Sequence, residues 1–329
     1  MHGILVALFF SMSLLRVDAP AASAQSDSTD AFRIQWEGEY PPATGVTNRR
    51  LSRFLTGLLL GDRTEGMRQP FNLWVKGDGD LVAVDQTTGS LWILSRDGRS
   101  EQARDKDGSR NSLVGICQGP GGHLLITDPE GGQILRLDGK KLIPVWDSLT
   151  LRRPTGIAWL PSRSEIWVCE TGAHCIAVLD AQGRLLKHIG TRGNGPGAFN
   201  YPTFLCWDGM GRVYVVDSMN FRIQVFSATG EFESCFGAQG DGSGDMARPK
   251  GVATDSRGHI YVVDALFHGV QVFDPEGAFL TAFGGMGQGH GEFWLPSGIQ
   301  IDARDHIFVA DTYNGRIQEF SLQKQTLPE

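Results

Sequence analysis

Short runs of Val, Ile, Tyr and Phe recur along the chain, and clusters of Asp, Gly, Pro and Asn separate them. The clearest stretch reads Pro249-Lys-Gly-Val-Ala-Thr-Asp255, His259-Ile-Tyr-Val-Val-Asp264, Gly269-Val-Gln-Val-Phe273 and Ala278-Phe-Leu-Thr-Ala-Phe283. Apolar runs of this length, rich in β-branched and aromatic residues and joined by tight turns, are typical of strands in hairpins. The stretch therefore predicts four consecutive antiparallel strands and no helix.

The same four-strand unit is repeated six times. The repeats lie 41 to 48 residues apart and are anchored at Pro70, Leu113, Pro154, Pro202, Pro249 and Pro296. A period of this size suits one four-stranded propeller blade per repeat. The sequence therefore predicts an all-β fold, a six-bladed β-propeller.

The last repeat is incomplete, because the chain continues from Arg316-Ile-Gln-Glu-Phe320 into a polar tail without a fourth strand. Phe54-Leu-Thr56 repeats the pattern of Phe279-Leu-Thr281. We expect the segment around Phe54 to complete the last blade and close the ring, which removes two exposed sheet edges. Phe32-Arg-Ile-Gln-Trp36 also has a strand pattern, and the sequence leaves open whether it forms an additional outer strand or an arm across one face.

The N-terminus has the features of an export signal. Residues Ile4 to Leu15 form a mostly apolar run, and Ala22-Ser23-Ala24 is typical of a signal-peptidase site. Residues 1–24 are therefore predicted to be a signal peptide, 25–53 an arm or extra strand, and 54–329 the propeller, in a secreted or periplasmic protein. No later stretch reaches the roughly 20 apolar residues of a membrane span.

Charge and cysteine content narrow the function classes. The chain carries 37 Asp and Glu against 30 Lys and Arg, a formal charge of −7, so it lacks the basic footprint of nucleic-acid binding. Five cysteines do not suggest a disulfide-rich scaffold. Cys117 and Cys206 stand where other repeats have alanine and are predicted to be buried fillers. Cys169 and Cys175 flank a predicted hairpin turn, and a bridge between them stays open.

An acidic residue recurs fifteen or sixteen positions after each anchor: Asp85, Asp128, Glu170, Asp217, Asp264 and Asp311. In an antiparallel blade these hairpins, between strands two and three, lie on the same face as the links between blades. We call this the link face and the opposite one the turn face. Six carboxylates on one face could attract calcium. The alternative, which we favour, is that each accepts hydrogen bonds from amides of its own turn.

Two hairpins carry a recognisable motif. Asp217-x-x-Asn220-x-Arg222-Ile-Gln-Val-Phe226 and Asp311-x-x-Asn314-x-Arg316-Ile-Gln-Glu-Phe320 resemble NHL repeats. The resemblance extends from Pro70 to Phe320, is strongest in blades four to six, and weakens in blades one and two, where the Asn and Arg are missing. It implies a six-bladed propeller. WD40 repeats are less similar, since Trp207-Asp208 occurs once and in a first strand.

The resemblance implies a fold and leaves the function open, because NHL-type propellers include an amidating lyase, RNA-binding modules, sensor domains and exported bacterial proteins. We expect a monomeric, exported scaffold that performs no chemistry and binds a protein, peptide or glycan on the link face. No cofactor is expected under this hypothesis. The candidate ligand-binding residues are Asp217, Asn220, Arg222, His268, His290, Asp311, Asn314 and Arg316.

The alternative is a metal-dependent lyase or hydrolase with an ion on the propeller axis. His174, His268 and His290 lie on the predicted link face and could hold zinc if they converged within bond lengths of about 2.0 to 2.1 Å. The resemblance to the amidating lyase implies such a site, although Gly89 stands where blade one should supply a histidine. Lactonase-like propellers imply calcium instead. A structural role in an envelope assembly, through the divergent blades two and three, is the third hypothesis.

Overall fold

The computed structural model describes residues 32–41, 67–77, 79–104 and 112–324. These residues form six four-stranded antiparallel sheets, each of which is one blade of a ring. The predicted six-bladed propeller is therefore confirmed. The predicted signal peptide and the segment around Phe54 lie outside the described residues. In the described part of the chain, no helix is long and apolar enough to cross a membrane.

Five blades are built from consecutive strands that run from the axis outward. Blade one contains β2 (Pro70–Val75), β3 (Leu81–Asp85), β4 (Ser90–Leu94) and β5 (Ser100–Ala103), and blade two contains β6 (Ile116–Gln118), β7 (Leu124–Asp128), β8 (Gln133–Asp138) and β9 (Lys141–Pro144). Blade three contains β10 (Pro154–Leu160), β11 (Glu165–Glu170), β12 (Cys175–Asp180) and β13 (Leu185–Ile189). Blade four contains β14 (Pro202–Trp207), β15 (Arg212–Asp217), β16 (Arg222–Ser227) and β17 (Phe232–Phe236), and blade five contains β18 (Pro249–Thr254), β19 (Ile260–Asp264), β20 (Gly269–Phe273) and β21 (Phe279–Gly284).

Blade six joins the two ends of the chain. Its first three strands are β22 (Ile299–Ile301), β23 (Ile307–Asp311) and β24 (Arg316–Lys324), and its outer strand is the N-terminal β1 (Phe32–Tyr40). Closure of the ring by an N-terminal strand agrees with the sequence prediction, but the prediction assigned this place to the segment around Phe54 and the structure has Phe32–Tyr40 there. The alternation in β1 explains this choice, because Ile34 and Trp36 both pack on the core between blades five and six.

The hydrophobic core lies between neighbouring blades. One cluster, for example, joins Leu160, Trp167 and Val178 of blade three to Val215 and Phe226 of blade four. The second strands of blades three to six each contribute one fully buried aromatic ring: Trp167, Tyr214, Tyr261 and Phe308. Each blade thus buries its faces against two neighbours, and the packing forms a ring around a central channel.

Glycines let the inner strands approach one another closely. A Cβ atom on Gly156 would lie 2.8 Å from Cα of Phe204, and one on Gly251 would lie 2.6 Å from the carbonyl oxygen of Ser297. A Cβ atom on Gly298 would lie 2.7 Å from the carbonyl oxygen of Phe71. Since backbone cannot move aside as a flexible side chain can, these glycines set the width of the channel.

We predict that removal of β1 destabilises the propeller. A chain that begins at residue 42 would leave β24 unpaired and expose the core contacts of Ile34, Trp36 and Tyr40. Loss of this apolar burial should lower the free energy of unfolding by about 3 kcal/mol or more, measured by urea denaturation. A chain that begins at residue 31 retains β1 and is the control. Equal stability of the two chains would contradict the assignment of β1 as the ring-closing strand.

Candidate functional site

The recurring carboxylates of the link face hold the links between blades. Asp217 accepts a hydrogen bond from the backbone N–H of Asn200 at 2.7 Å, and Asp311 accepts one from Trp294 N–H at 2.8 Å. Equivalent bonds run from Arg68 to Asp85, from Arg152 to Glu170 and from Ala247 to Asp264. These acids are buried. Asp85, Asp128 and Asp264 also accept hydrogen bonds from backbone amides of their own turn, as the favoured interpretation has it. Asp217 and Asp311 bond instead to side chains of their own hairpin.

Blade four shows how the NHL-like motif is used. The Arg222 guanidinium pairs with Asp217 at 2.9 Å and donates to the carbonyls of Gly195 and Ala198 in the link. Asn220 donates to Gly193 O and to Asp217. These side chains form one network that fixes a glycine-rich link on the hairpin.

Blade six repeats this network with Asp311, Asn314 and Arg316. Asn314 donates to Gly287 O, and Arg316 donates to Gly289 O. Six of the eight candidate ligand-binding residues thus belong to two equivalent link-holding networks. Direct ligand contact by these six stays a prediction, and their observed bonds are all internal.

His174 and His268 stand at a position of the second hairpin that has a left-handed backbone, with φ of 56° and 53°. Gly89, Gly132 and Gly315 occupy it in three other blades. Blade one has glycine there because this conformation favours glycine, and no missing metal ligand needs to be invoked.

The two imidazoles bond to the next link. His174 Nδ1 accepts a hydrogen bond from the backbone N–H of Tyr201 at 3.2 Å, and His268 Nδ1 accepts one from Leu295 N–H at 3.1 Å. His290 has a different environment, because its ring stacks on Trp36 of the outer strand β1 at 3.9 Å.

The sequence left open an axial zinc site formed by His174, His268 and His290. Throughout the described ranges, the only side chains that bring three potential metal-ligand atoms within 4.8 Å of one another are Glu170, Cys175 and His188. His174, His268 and His290 are therefore not gathered into one site, because their hairpins place them in different blades and in a link. Cys169 and Cys175 are both free thiols.

Two aromatic rings divide the central channel. Phe71 of blade one and Phe204 of blade four meet with their ring centroids 5.7 Å apart. On the turn face they leave a cavity of about 380 Å³ whose lining includes Trp74, Trp159 and Trp207. On the link face they leave one of about 440 Å³, which we call the link-face cavity.

The link-face cavity carries positive charge. Lys250, from inner strand β18, lies with Nζ 5.3 Å from the centroid of the Phe71 ring, a cation–π contact. Arg153, which precedes inner strand β10, lines the same cavity, and Glu130 supplies a carboxylate at its rim. Burial, together with the charges of Arg248 and Arg153, lowers the pKa of Lys250 to about 8.

Hydroxyl groups form much of the rest of the lining. Thr155 and Thr171 share a hydrogen bond of 2.6 Å, and Thr171 donates to the carbonyl of Pro202 in the next blade. Thr203 is bonded to Ser218 at 2.5 Å. Ser112 Oγ is buried and has no partner among the described residues. The lining is therefore fixed by bonds between blades and still offers polar atoms to a ligand.

The sequence analysis missed this site, although one signal could have found it. The residue directly after the anchor points to the cavity in five blades: Phe71, Val114, Thr155, Thr203 and Lys250. Lys250 is the only charged residue at this position in the six repeats, and this difference marks the site.

Comparisons with known proteins agree with the fold. A family model described as a 6-bladed beta-propeller matches residues 203–266 and 252–329. The structure is similar to virginiamycin B lyase from Staphylococcus aureus, with 15% identity, 88% of this chain and 89% of that chain covered, and a TM-score of 0.56. It is also similar to an auxiliary nutrient binding protein from Bacteroides ovatus, with 14% identity, coverage of 79% and 70%, and a TM-score of 0.62.

A gluconolactonase from Xanthomonas campestris is a third similar structure, with 16% identity, 78% of this chain and 88% of that chain covered, and a TM-score of 0.60. At such identities the likeness shows the fold alone. The three proteins have different functions, so a six-bladed propeller by itself does not assign one.

We predict that Arg222→Leu destabilises the protein strongly, because it leaves the buried Asp217 carboxylate without its cation. Removing one partner of a buried ion pair costs about 3 to 5 kcal/mol, measured by urea denaturation. The control is Arg184→Leu, since Arg184 pairs with Asp180 at 2.6 Å but its side chain is 78% exposed. That change should cost less than about 1 kcal/mol. Similar values for both variants would contradict a structural role for Arg222.

Proposed function

We propose that this chain is an exported, monomeric propeller scaffold that binds a carboxylate-bearing protein, peptide or glycan in the link-face cavity. The observation that carries the proposal is the pairing of two cations, Lys250 and Arg153, at a cavity on the propeller axis. Within the described residues neither cation forms an ion pair with an acidic side chain. A ligand carboxylate would supply the missing partner.

Size and charge support this assignment. A cavity of about 440 Å³ lies in the range of roughly 300 to 1,000 Å³ that is typical of ligand sites, and it would hold one terminal residue of a longer chain. The protein as a whole has a formal charge of −7, so a cationic cavity on its axis stands out. The Glu130 carboxylate on the rim is suited to a ligand hydroxyl or amine.

Rigidity supports binding as well. The hydroxyls of Thr155, Thr171 and Thr203 are held by bonds within and between blades, and the networks of Arg222 and Arg316 fix two links around the channel. A preformed lining loses little conformational entropy when a ligand enters. In this proposal the networks of Arg222 and Arg316 hold the links around the channel, and residues of the inner strands, such as Lys250, contact the ligand.

One observation favours the alternative, a lyase or hydrolase. A lysine with a pKa of about 8 is partly neutral at physiological pH, so Lys250 could accept a proton from a bound substrate. The metal-dependent form of this hypothesis requires a zinc or calcium ion on the axis. Elemental analysis of protein purified without chelators tests it, and an ion whose content is unaffected by changes at Glu170, Cys175 and His188 would favour chemistry on the axis.

We predict that anionic probes bind to this cavity and that neutral analogues do not. Galacturonate oligosaccharides and peptides with a free C-terminus are titrated calorimetrically against galactose oligosaccharides and C-terminally amidated peptides. Lys250→Met keeps the stem and removes the charge, and it should weaken binding of the selected anionic probe about tenfold or more, or about 1.4 kcal/mol. Lys140→Met, which changes an exposed lysine of blade two, should leave the affinity unchanged.

The outcomes are distinct. Equal affinity for charged and neutral probes, or an unchanged affinity in Lys250→Met, would contradict the proposal that the cavity recognises a carboxylate. Binding that is lost in both lysine variants would indicate a long-range charge effect.

We also predict a pH dependence. Lys250 is charged below its pKa of about 8 and neutral above it, so the affinity for an anionic probe should be highest below pH 8 and should fall as the pH rises through that value. A bound anion favours the charged lysine, which shifts the fall to somewhat higher pH in the complex. Calorimetry between pH 6.5 and pH 9.5 measures this, and Lys250→Met should show a flat profile. An unchanged slope in the variant would exclude Lys250 as its source.

A further inference from the structure

Blade three keeps the acidic residue of the link-holding network but none of the other side chains that form it in blades four and six. Glu170 occupies the position of Asp217 and Asp311 in the repeat. The Asn, Arg and Gln that surround those aspartates in blades four and six are replaced in blade three by Ala173, Cys175 and Ala177. Glu170 has therefore lost three side-chain donors, and it remains buried, with 4% of its surface exposed.

A histidine contacts Glu170 on the side where blades four and six have the arginine. His188, from the outer strand β13, has Nε2 2.8 Å from Glu170 Oε2. Cys175 Sγ lies 3.8 Å from the same oxygen. The other carboxylate oxygen, Oε1, accepts the backbone N–H of Arg152 at 2.7 Å, which fixes the orientation of the carboxylate. One oxygen, one sulfur and one nitrogen thus face a common point.

We propose that Glu170, Cys175 and His188 form a metal site for zinc or a similar borderline-soft divalent cation. This site is separate from the link-face cavity and does not depend on the function proposed for it. It also differs in position and ligands from the axial histidine site that the sequence left as an alternative.

The geometry fits a tetrahedral ion. The three potential ligand atoms lie within 4.8 Å of one another. An ion bound at about 2.0 to 2.3 Å from each would place them roughly 3.3 to 3.8 Å apart. The sulfur–oxygen distance already has this value, and the nitrogen–oxygen distance needs to open by less than about 1 Å. His188 can make that movement, because 46% of its side chain is exposed.

The ligand chemistry selects the class of ion. A thiolate and an imidazole favour zinc over calcium or magnesium, which prefer oxygen ligands. Burial and the Glu170 charge raise the pKa of the Cys175 thiol to about 12, so the thiol is protonated until a cation binds. A coordinated thiol is deprotonated, and its proton passes to solvent on binding. With three protein ligands, the fourth position is left to water, which reaches the site past the exposed His188 ring.

The competing explanation is that the His188–Glu170 pair merely replaces the arginine–aspartate pair of the other blades. Titration with cobalt distinguishes a metal site from an ion pair. A cobalt ion bound by a thiolate in a tetrahedral site gives a sulfur-to-metal charge-transfer band, which an ion pair does not give. Tag-free full-length protein, stripped of metal and kept reduced with a phosphine, is titrated with Co²⁺. The bound cobalt is then displaced by Zn²⁺.

We expect one Co²⁺ per chain, a charge-transfer band, and displacement by an equivalent of Zn²⁺. Cys175→Ser should abolish the band, and His188→Gln, which removes a direct ligand, should weaken Co²⁺ binding by at least the roughly 10- to 100-fold that loss of an outer-shell partner costs. Cys235→Ser is the matched control, because Cys235 is exposed and occupies the position of His188 in blade four, and it should leave the band unchanged.

Three results would overturn the proposal: no band in the unaltered protein, a band that persists in Cys175→Ser, or loss of the band in Cys235→Ser. Circular dichroism checks the fold of each variant. If Cys175→Ser does not fold, the band of the unaltered protein and the affinity of His188→Gln still decide the question.

Discussion

The pairing of β1 with β24 is the contact on which the rest of the structure depends. It joins residues that are 282 positions apart, as in the hydrogen bond from the Trp36 indole to Gln318, and Arg316 adds an ion pair to Glu39 at 2.8 Å. Without this contact β24 would be an exposed sheet edge, and Ile34, Trp36 and Tyr40 would no longer cover the core on the two sides of blade six. The channel, its aromatic divider and both cavities exist only because the ring is closed at a fixed circumference.

Within the closed ring, the spacing of the inner strands determines what the axis can hold. Gly156, Gly251 and Gly298 bring neighbouring inner strands into backbone contact, so the channel is narrow enough for two phenylalanines from opposite blades to meet across it. The same narrowness places Lys250 of blade five over the Phe71 ring of blade one. Burial of a cation on the axis is thus a consequence of close backbone packing, and this burial is the main cause of the lowered pKa of Lys250.

The sequence was sufficient to predict the blade number, the strand order and the register of the acidic hairpins, because each depends on local patterns that recur six times. It assigned the closing strand to Phe54–Thr56 and left the place of Phe32–Trp36 open, since both segments have a strand pattern and the pairing partner is distant in sequence. The link-face cavity was not predicted either, although Lys250 departs from the repeat at its position. Lys250, Arg153 and Phe71 come from three blades, and only the closed ring brings them together.

Repetition also separates structural residues from candidate functional ones. In blade five the arginine of the network is replaced by Gly269, and Asp264 is compensated by two backbone amides of the link, from Ala247 and Arg248. A Cβ atom on Gly269 would lie 2.8 Å from Phe283 O, so packing itself requires this substitution. In blade three one backbone amide of the link, from Arg152, bonds to Glu170. Its carboxylate faces a thiol and an imidazole from two different strands, and backbone packing does not account for that choice.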